Sequence, residues 1–176
     1  MKELSLHILD IAQNSITAEA TRVDISVVER AGTRTMAVRD DGRGMPETLL
    51  RSVQDPFTTT RTTRPVGLGI PLLRLAAEQA GGGLRIDSRQ GEGHGTELEA
   101  TFEVENIDCV PLGDLSATMV TLIHGNPQLD FTLEYETAAG RKWLSTVELR
   151  ETLEGVPLET PEVLAWIGEY IREPFE

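Results

Sequence analysis

The alternation of apolar and polar positions divides the first part of the chain into helices and strands. Over residues 4–18 apolar side chains recur at helical spacing, and the stripe through Leu4, Ile8 and Ile11 ends in Ser15. The stretch TRVDISVVER (21–30) alternates apolar and polar residues and predicts a strand with one buried face. The turn AGTR and a returning strand TMAVRD (35–40) complete a predicted hairpin.

The same pattern continues to the end of the first hundred residues. PETLLRSV (46–53) predicts a short helix with Pro46 near its start, and GLGIPLLRLAAEQAGGG (67–83) predicts a helix bounded by glycines. DPFTTTRTTRPV (55–66) has no apolar period and is interpreted as a loop. GLRIDSR (83–89) and TELEATFEV (96–104) predict a second hairpin. This order predicts an α+β fold, a two-layer sandwich with helices on one face of a largely antiparallel sheet.

After Glu105 the pattern starts again. Residues 113–125 predict a helix capped at Asp114 or Ser116, and DFTLEYE (130–136) with RKWLSTV (141–147) predict a hairpin around TAAG. Two closing helices follow at 147–155 and 160–173. We therefore predict two regions: a first domain over 1–105, and a small α+β C-terminal extension over 106–176.

Charge separates the same two regions. The chain carries a net charge of −13, which argues against nucleic acid or an anionic membrane as a partner. Residues 103–176 hold 15 acidic and 4 basic residues, whereas residues 1–102 hold 14 and 12. The first region could therefore hold an anionic ligand such as a phosphate, while the acidic extension suits solvent or a basic partner surface.

Targeting and redox signals are absent from the sequence. No apolar run reaches membrane-spanning length, and the start MKELSLHILD does not fit a signal peptide. The single Cys109 excludes an internal disulfide framework and a cysteine-rich metal site. We expect a cytoplasmic protein.

Two side chains on the first helix can carry chemistry. Asp10 and Asn14 are spaced i, i+4 and share a face, where a carboxylate and an amide oxygen can hold a hydrated magnesium ion and orient a water. A solvated polar face explains the same spacing. His7, one turn earlier, is expected to be exposed.

Three glycine-containing motifs follow. In VRDDGRGMP (38–46) a carboxylate at a strand end can accept the exocyclic amine of adenine, although an acidic turn has the same composition. GLGI (67–70) opens a helix whose free amides can bind an anion, or it is an ordinary tight turn. Gly95 and Thr96 enter a strand, and a hairpin turn explains them without any ligand.

The order of the four motifs is more specific than any one of them. Over about residues 1–104 it resembles the GHKL superfamily, whose ATP-binding domain has the Bergerat fold: gyrase, the heat-shock chaperone of ninety kilodaltons, histidine kinases and MutL. NSITAEATRVDISV resembles the MutL and gyrase version, and DDGRGMP resembles gyrase. DPFTTTR with GLGI is closer to the histidine kinases.

The resemblance implies roles for residues of this chain, with ATP and Mg²⁺ as cofactors. Asn14 would coordinate magnesium on the ATP phosphates, Asp40 would accept the adenine amine, and Asp10 would be the catalytic base. Thr96 would support Asp40, whereas Asp41 is expected to point outward and to be replaceable. The other ATP-binding residues would be Gly42, Gly44, Met45, Thr60, Arg61, Gly67, Leu68, Gly69 and Ile70, with Arg64 as an alternative to Thr60 and Arg61 at the outer phosphates.

Two positions depart from the superfamily pattern. Asp10 stands where the hydrolases and serine kinases have Glu, and the shorter side chain should weaken general-base action more than binding. Pro65 stands at the first glycine of the lid hinge, where it removes an amide donor and should stiffen the lid.

Three activities follow from the resemblance. The chain contains no phosphoacceptor helix pair upstream, and His7, His94 and His124 are not followed by an acid, so we do not expect autophosphorylation on histidine. The protein is then a kinase for a partner protein, a slow ATPase, or an ATP-gated binding switch without catalysis. The acidic extension is interpreted as a partner-binding or homodimerising appendage, with a stabilising cap as the alternative.

Overall fold

The computed structural model describes residues 3–54 and 69–175, which form one mixed α+β layer structure. In chain order the first hairpin and its helices are α1 (Leu4–Thr17), β1 (Arg22–Arg30), β2 (Thr33–Asp40), α2 (Glu47–Gln54) and α3 (Gly69–Gln79). The second hairpin is β3 (Gly83–Arg89) and β4 (Gly95–Glu103). The elements after it are α4 (Leu115–Gly125), β5 (Asp130–Thr137), β6 (Gly140–Ser145), α5 (Thr146–Leu153) and α6 (Pro161–Arg172). The predicted two-layer α+β architecture is confirmed.

The strands described here form a single sheet in the order β3-β4-β2-β1-β5-β6. Neighbouring strands are antiparallel except β1 and β5, which run parallel with Ile25 opposite Leu133. The predicted hairpin around TAAG therefore does not stand apart, because it extends the sheet of the first region by two strands. The division at residue 105 stays a prediction, although apolar side chains from both sides of it form one continuous core.

One face of the sheet is covered by helices, and the alternation along the strands determines which side chains point to them. Val23, Ile25 and Val27 of β1 are buried, as are Met36 and Val38 of β2. The helix α1 contacts β1 and β2, α3 contacts β3 and β4, and α4 packs on α1 and α6, so that their apolar stripes join the same core. The other face is polar, with ion pairs between strands such as Arg39–Glu97.

The start of α1 is attached to the segment that precedes α4. The main-chain N–H groups of Leu4 and Ser5 donate to the carbonyls of Pro111 and Leu112 at 2.8 and 2.9 Å. The hydroxyl of Thr118 donates to the carbonyl of Ser5 at 2.9 Å. The first two bonds satisfy amides that a helix start leaves without an intrahelical partner, and all three attach the start of α1 to α4 and the segment before it.

Among the described residues, the helices are too short or too polar to serve as a membrane span.

Candidate functional site

Asp40 is the last residue of β2 and lies on the face of the sheet that α1 covers. Its carboxylate is held from two sides: the N–H of Gly42 donates to Oδ1 at 2.8 Å, and the hydroxyl of Ser15 donates to Oδ2 at 2.5 Å. The two bonds fix the carboxylate plane and leave lone pairs on both oxygens for a further donor. Sequence reasoning missed Ser15, whose one signal was a polar residue at the end of the apolar stripe of α1.

The loop after Asp40 is packed between the end of α1 and the end of β3. A Cβ on Gly42 would lie 2.9 Å from the carbonyl oxygen of Ala18, and the N–H of Arg43 donates to that same oxygen at 2.9 Å. Gly44 has φ +79°, and a Cβ there would lie 2.1 Å from the carbonyl oxygen of Arg89. Both glycines are therefore required for the close approach of this loop to its neighbours.

Asp41 points away from the cavity, as expected, but its carboxylate is hydrogen-bonded to the start of β1. Its Oδ1 accepts the N–H groups of Thr21 and Arg22 at 2.7 and 2.9 Å, and its Oδ2 accepts the Thr21 hydroxyl at 2.5 Å. Burial raises the pKa of the Asp41 carboxyl, but these hydrogen bonds outweigh that effect and hold the pKa below its ordinary value. The Asp41 carboxylate thus connects the loop after β2 to the start of β1 by hydrogen bonds.

Thr96 of β4 is the cross-strand partner of Asp40 on one side and of Ser88 on the other. Its hydroxyl lies 2.7 Å from the hydroxyl of Ser88, which also accepts the N–H of Met45 at 2.8 Å. Ser88 therefore links β3, β4 and the loop that carries Met45. Sequence reasoning missed Ser88, although it lies at a core-facing position of its strand, where a hydroxyl is unusual.

Asp10 and Asn14 face the start of α3. A Cβ on Gly69 would lie 3.6 Å from the Cβ of Asp10 and 3.9 Å from Cδ1 of Ile11. The first amides of α3, which lack intrahelical partners, are thus brought beside the Asp10–Asn14 face of α1. This arrangement places a helix N-terminus, a carboxylate and a carboxamide together at one end of the site.

A cavity joins the two ends of the site. Its walls are mainly apolar, with polar groups at a few points, and they comprise Ile11, Asn14, Ser15, Val38, Asp40, Met45, Ile70, Ile86, Thr96 and Leu98. Five of the predicted site residues, on five different elements or loops, thus line one space. Apolar walls with a few directed polar groups suit a flat heteroaromatic ring.

The carboxamide of Asn14 faces the cavity. Its nitrogen is buried and has no hydrogen-bond partner in the described part of the chain. Rotating the amide by half a turn would exchange nitrogen and oxygen, so the group can offer either a donor or a metal ligand. Asn14 and Asp10 supply the oxygen atoms that Mg²⁺ prefers.

Within residues 3–54 and 69–175, no three His, Cys, Asp or Glu side chains converge as a metal site. An ion here would therefore depend on Asn14, Asp10 and the oxygens of the ligand itself. The predicted residues Thr60, Arg61, Gly67 and Leu68, with Arg64 and Pro65, lie outside the described residues.

His7 is buried, and the expectation that it is exposed was wrong. Only 1% of it is accessible, and neither ring nitrogen has a hydrogen-bond partner among the described residues. Burial lowers the pKa of His7 to about 4, so the ring is neutral at physiological pH.

The sequence of this chain is similar to those of known ATPases and kinases. A family model described as "Histidine kinase-, DNA gyrase B-, and HSP90-like ATPase" matches residues 2–106. Sporulation kinase C of Bacillus subtilis is 32% identical over 87 residues, which are 48% of this chain and 20% of that protein. The sensor histidine kinase AruS of Pseudomonas aeruginosa is 27% identical over 150 residues, 80% of this chain and 14% of AruS.

The matched regions span only a fifth or less of these two relatives, which are therefore much longer proteins than this chain. Among solved structures, the Aquifex aeolicus MutL ATPase domain complexed with ADP superposes with a TM-score of 0.55 at 17% identity. The superposition covers 88% of this chain and 68% of the MutL chain, and it establishes a shared fold.

Proposed function

This chain belongs to the histidine kinase-, DNA gyrase B- and HSP90-like ATPase family, and on that premise we propose that it binds Mg-ATP and transfers the γ-phosphate to a partner protein. Without a partner, slow transfer to water would make it an ATPase. The observation that carries the proposal is the cavity in which Asp40, Asn14 and Ile70 meet between α1, α3 and the sheet.

The adenine ring would occupy the apolar part of the cavity, with its exocyclic amine donating to Asp40. Two features favour an amine there: the carboxylate is oriented by Ser15 and Gly42, and it keeps acceptor capacity on both oxygens. Thr96 lines the cavity beside Asp40 and is held by the hydroxyl of Ser88, and Met45 and Ile70 would cover the ring faces. Gly42 and Gly44 shape this end by allowing the loop to pack closely.

The phosphates would extend toward the start of α3. Helix N-termini bind anions through their free amides, and Gly69 opens this helix beside Asp10. Asn14 would hold a magnesium ion through its carboxamide oxygen, and that ion would neutralise phosphate charge. Thr60, Arg61, Gly67 and Leu68 are proposed from the sequence alone to complete the phosphate end.

Asp10 is the group proposed to move a proton. It would accept the proton of an acceptor hydroxyl as the oxygen–phosphorus bond forms, while the bond from the γ-phosphorus to the bridging oxygen breaks and ADP leaves. A water in place of the hydroxyl would give phosphate and ADP. The alternative is an ATP-gated switch, in which Asn14 and Asp40 bind the nucleotide and Asp10 has no chemical role. The short side chain of Asp10 favours this alternative, because it reaches less far than the Glu that the hydrolases and serine kinases have.

Binding and chemistry are tested separately. Titration calorimetry should show magnesium-dependent ATP binding to the full chain, loss of binding in Asp40→Asn, and retention in Asp41→Asn, whose side chain lies outside the cavity. Magnesium-independent binding, or equal binding by both variants, would contradict the site.

Incubation with γ-labelled ATP then distinguishes the activities. Label on a candidate partner supports a kinase, free phosphate supports an ATPase, and neither supports the switch. Asp10→Asn should abolish either transfer while ATP still binds. If label transfer survives in Asp10→Asn, Asp10 is not the base.

A further inference from the structure

The edge of the sheet formed by β6, together with α6, carries three neighbouring aromatic side chains. Trp166 on the outer face of α6 is 51% exposed, and Trp143 on β6 is 40% exposed. Tyr170, one helical turn after Trp166, stacks on the Trp166 ring and hydrogen-bonds the main chain of Trp143, whose ring lies around the sheet edge on the open face. Large aromatic rings left this accessible are uncommon on a protein surface and mark interaction sites when they cluster. We call these three residues, with Glu162, Glu169 and Glu173 beside them, the aromatic–acidic surface.

The aromatic groups are held in fixed positions. The rings of Trp166 and Tyr170 are stacked, with centroids 5.4 Å apart and planes 5° from parallel. The Tyr170 hydroxyl donates to the carbonyl of Trp143 at 3.0 Å and accepts the N–H of Trp143 at 3.2 Å. Rings that are already ordered lose little conformational entropy when a partner binds, which suits them as anchors of an interface.

The same bonds determine how a partner can bind. Tyr170 occupies both main-chain groups of Trp143 that face away from β5, so the middle of this edge strand is not free to pair with another strand. Lys142 of the same strand also holds α6 against β6, because its buried ammonium group donates to the carbonyls of Tyr170, Ile171 and Glu173 at the end of α6. The accessible feature is therefore the side-chain surface.

Acidic side chains outnumber basic ones around α6, and the two basic side chains nearest the rings already have partners. Arg141 lies 5.7 Å from the centre of the Trp143 ring and pairs with Glu134, and Lys142 donates to carbonyls at the end of α6. Residues 146–176 contain eight glutamates and two arginines, and both arginines are engaged, Arg150 with Asp130 and Arg172 with Asp114. On α6, Glu162 precedes Trp166 by one turn and Glu169 follows it by one turn, and Glu173 comes directly after the helix. None of these three glutamates has an ion pair among the described residues, in contrast to the matched pairs across the open face of the sheet.

We propose that the aromatic–acidic surface binds a basic segment of another protein, one that presents arginine or lysine beside an apolar side chain. Guanidinium groups stack on aromatic rings and pair with carboxylates, so one such segment would satisfy both features. A second copy of this chain fits poorly, because two such surfaces would bring like charges together. The surface lies at the opposite edge of the sheet from the cavity, so the inference does not depend on ATP binding.

The chain contains its own probe for this surface. Its two tryptophans are Trp166 on α6 and Trp143 at the neighbouring sheet edge, so intrinsic tryptophan fluorescence reports on this edge of the molecule, and a Trp143→Phe variant restricts the signal to Trp166. We suggest titrating the full chain with a synthetic helical peptide that carries arginines and leucines on one face, and with a matched peptide in which glutamates replace the arginines. We expect a saturable fluorescence change with the basic peptide and none with the acidic one.

Variants locate the binding. Trp166→Ala should weaken it about tenfold, as expected for an aromatic anchor, measured by calorimetry since one fluorophore is lost. The double variant E162Q/E169Q should weaken it several-fold. The matched controls are Leu75→Ala, an exposed apolar residue of α3, and E78Q/E92Q, two exposed glutamates away from the surface; neither should change the affinity.

Three results would overturn the inference: no binding of the basic peptide, equal weakening by test and control variants, or a homodimer that Trp166→Ala dissociates. Mg-ATP titration of the same variants should be unchanged. A chain that binds the peptide but not ATP would contradict only the proposed nucleotide site, and the reverse would contradict only the surface.

Discussion

The hydroxyl of Ser15 on α1 donates a 2.5 Å hydrogen bond to Oδ2 of Asp40, 25 residues later at the end of β2. This bond joins the helix that carries Asn14 to the strand that carries the proposed adenine acceptor. Ser15 is 3% exposed. If its hydroxyl is deleted, a water molecule can take its place only when the surrounding residues rearrange. We regard Ser15 as a positioning residue for Asp40.

Replacing Ser15 with alanine should weaken ATP binding about tenfold, because one hydrogen bond to a carboxylate is lost. ADP should lose the same factor, since the effect arises at the adenine end, and Ser15→Thr should restore part of the affinity. Calorimetric titration with both nucleotides measures this. A loss confined to ATP would place the effect of Ser15 at the phosphates instead.

Replacing Asp41 with alanine should lower the free energy of unfolding by about 2 kcal/mol, because three hydrogen bonds to a carboxylate are lost. The folded-state pKa of Asp41 lies below its ordinary value of 3.8, so this contribution is present at neutral pH and is lost as the pH falls below that value. Denaturant unfolding at pH 7 and pH 3 measures the difference. Asp41→Asn, which keeps an acceptor for the main-chain amides, should lose less.

The elements and the order of the motifs were predictable because they depend on local periodicity and on glycines at element ends. Asp40 could be placed on the last position of its strand in this way. The parallel pairing of β1 with β5 could not be predicted, because it joins residues more than a hundred positions apart and no local sequence pattern indicates it. Ser15, Ser88 and the burial of His7 escaped prediction for the same reason: each depends on which element lies opposite.

His7 should make the protein sensitive to moderate acid. Its pKa is about 4 in the folded state against 6.5 in the unfolded chain, so the unfolded state binds more protons between these values. Stability should therefore be complete above pH 6.5 and should fall toward pH 4, with a slope approaching about 1.4 kcal/mol per pH unit. Denaturant unfolding across this range measures the slope.

His7→Leu should flatten that slope and cost little at pH 7.5, because the ring nitrogens make no hydrogen bond with the described residues. His124→Gln, at an exposed position, is the control and should leave the slope as it is. An unchanged slope in His7→Leu would assign the acid sensitivity to other groups.

Lys142 should contribute strongly to the attachment of α6. Lys142→Met keeps the aliphatic length but leaves three carbonyls at the end of α6 without a donor, and we expect a loss of about 3 kcal/mol in unfolding free energy. Arg141→Met is the neighbouring control: its ion pair with Glu134 is exposed, and such pairs contribute less than about 1 kcal/mol. Equal effects of the two variants would argue against the role of Lys142.

Two glycines with nearly the same backbone conformation separate the cost of a positive φ from the cost of a close contact. Gly44 has φ +79° and Gly91 has φ +77°, but a Cβ on Gly44 would lie 2.1 Å from the carbonyl oxygen of Arg89, whereas a Cβ on Gly91 would meet nothing within 4 Å. Gly91→Ala should cost about 1 kcal/mol, the ordinary penalty of the left-handed region.

Gly44→Ala should cost about 2 kcal/mol more, because the loop must move away from β3. That movement would break the bond from the Met45 N–H to Ser88, so Gly44→Ala should also weaken ATP binding while Gly91→Ala leaves it unchanged. Thermal unfolding and calorimetric titration of both variants measure the two effects. Similar unfolding free energies would mean that the loop absorbs the added carbon, and that its contact with Arg89 does not hold the site together.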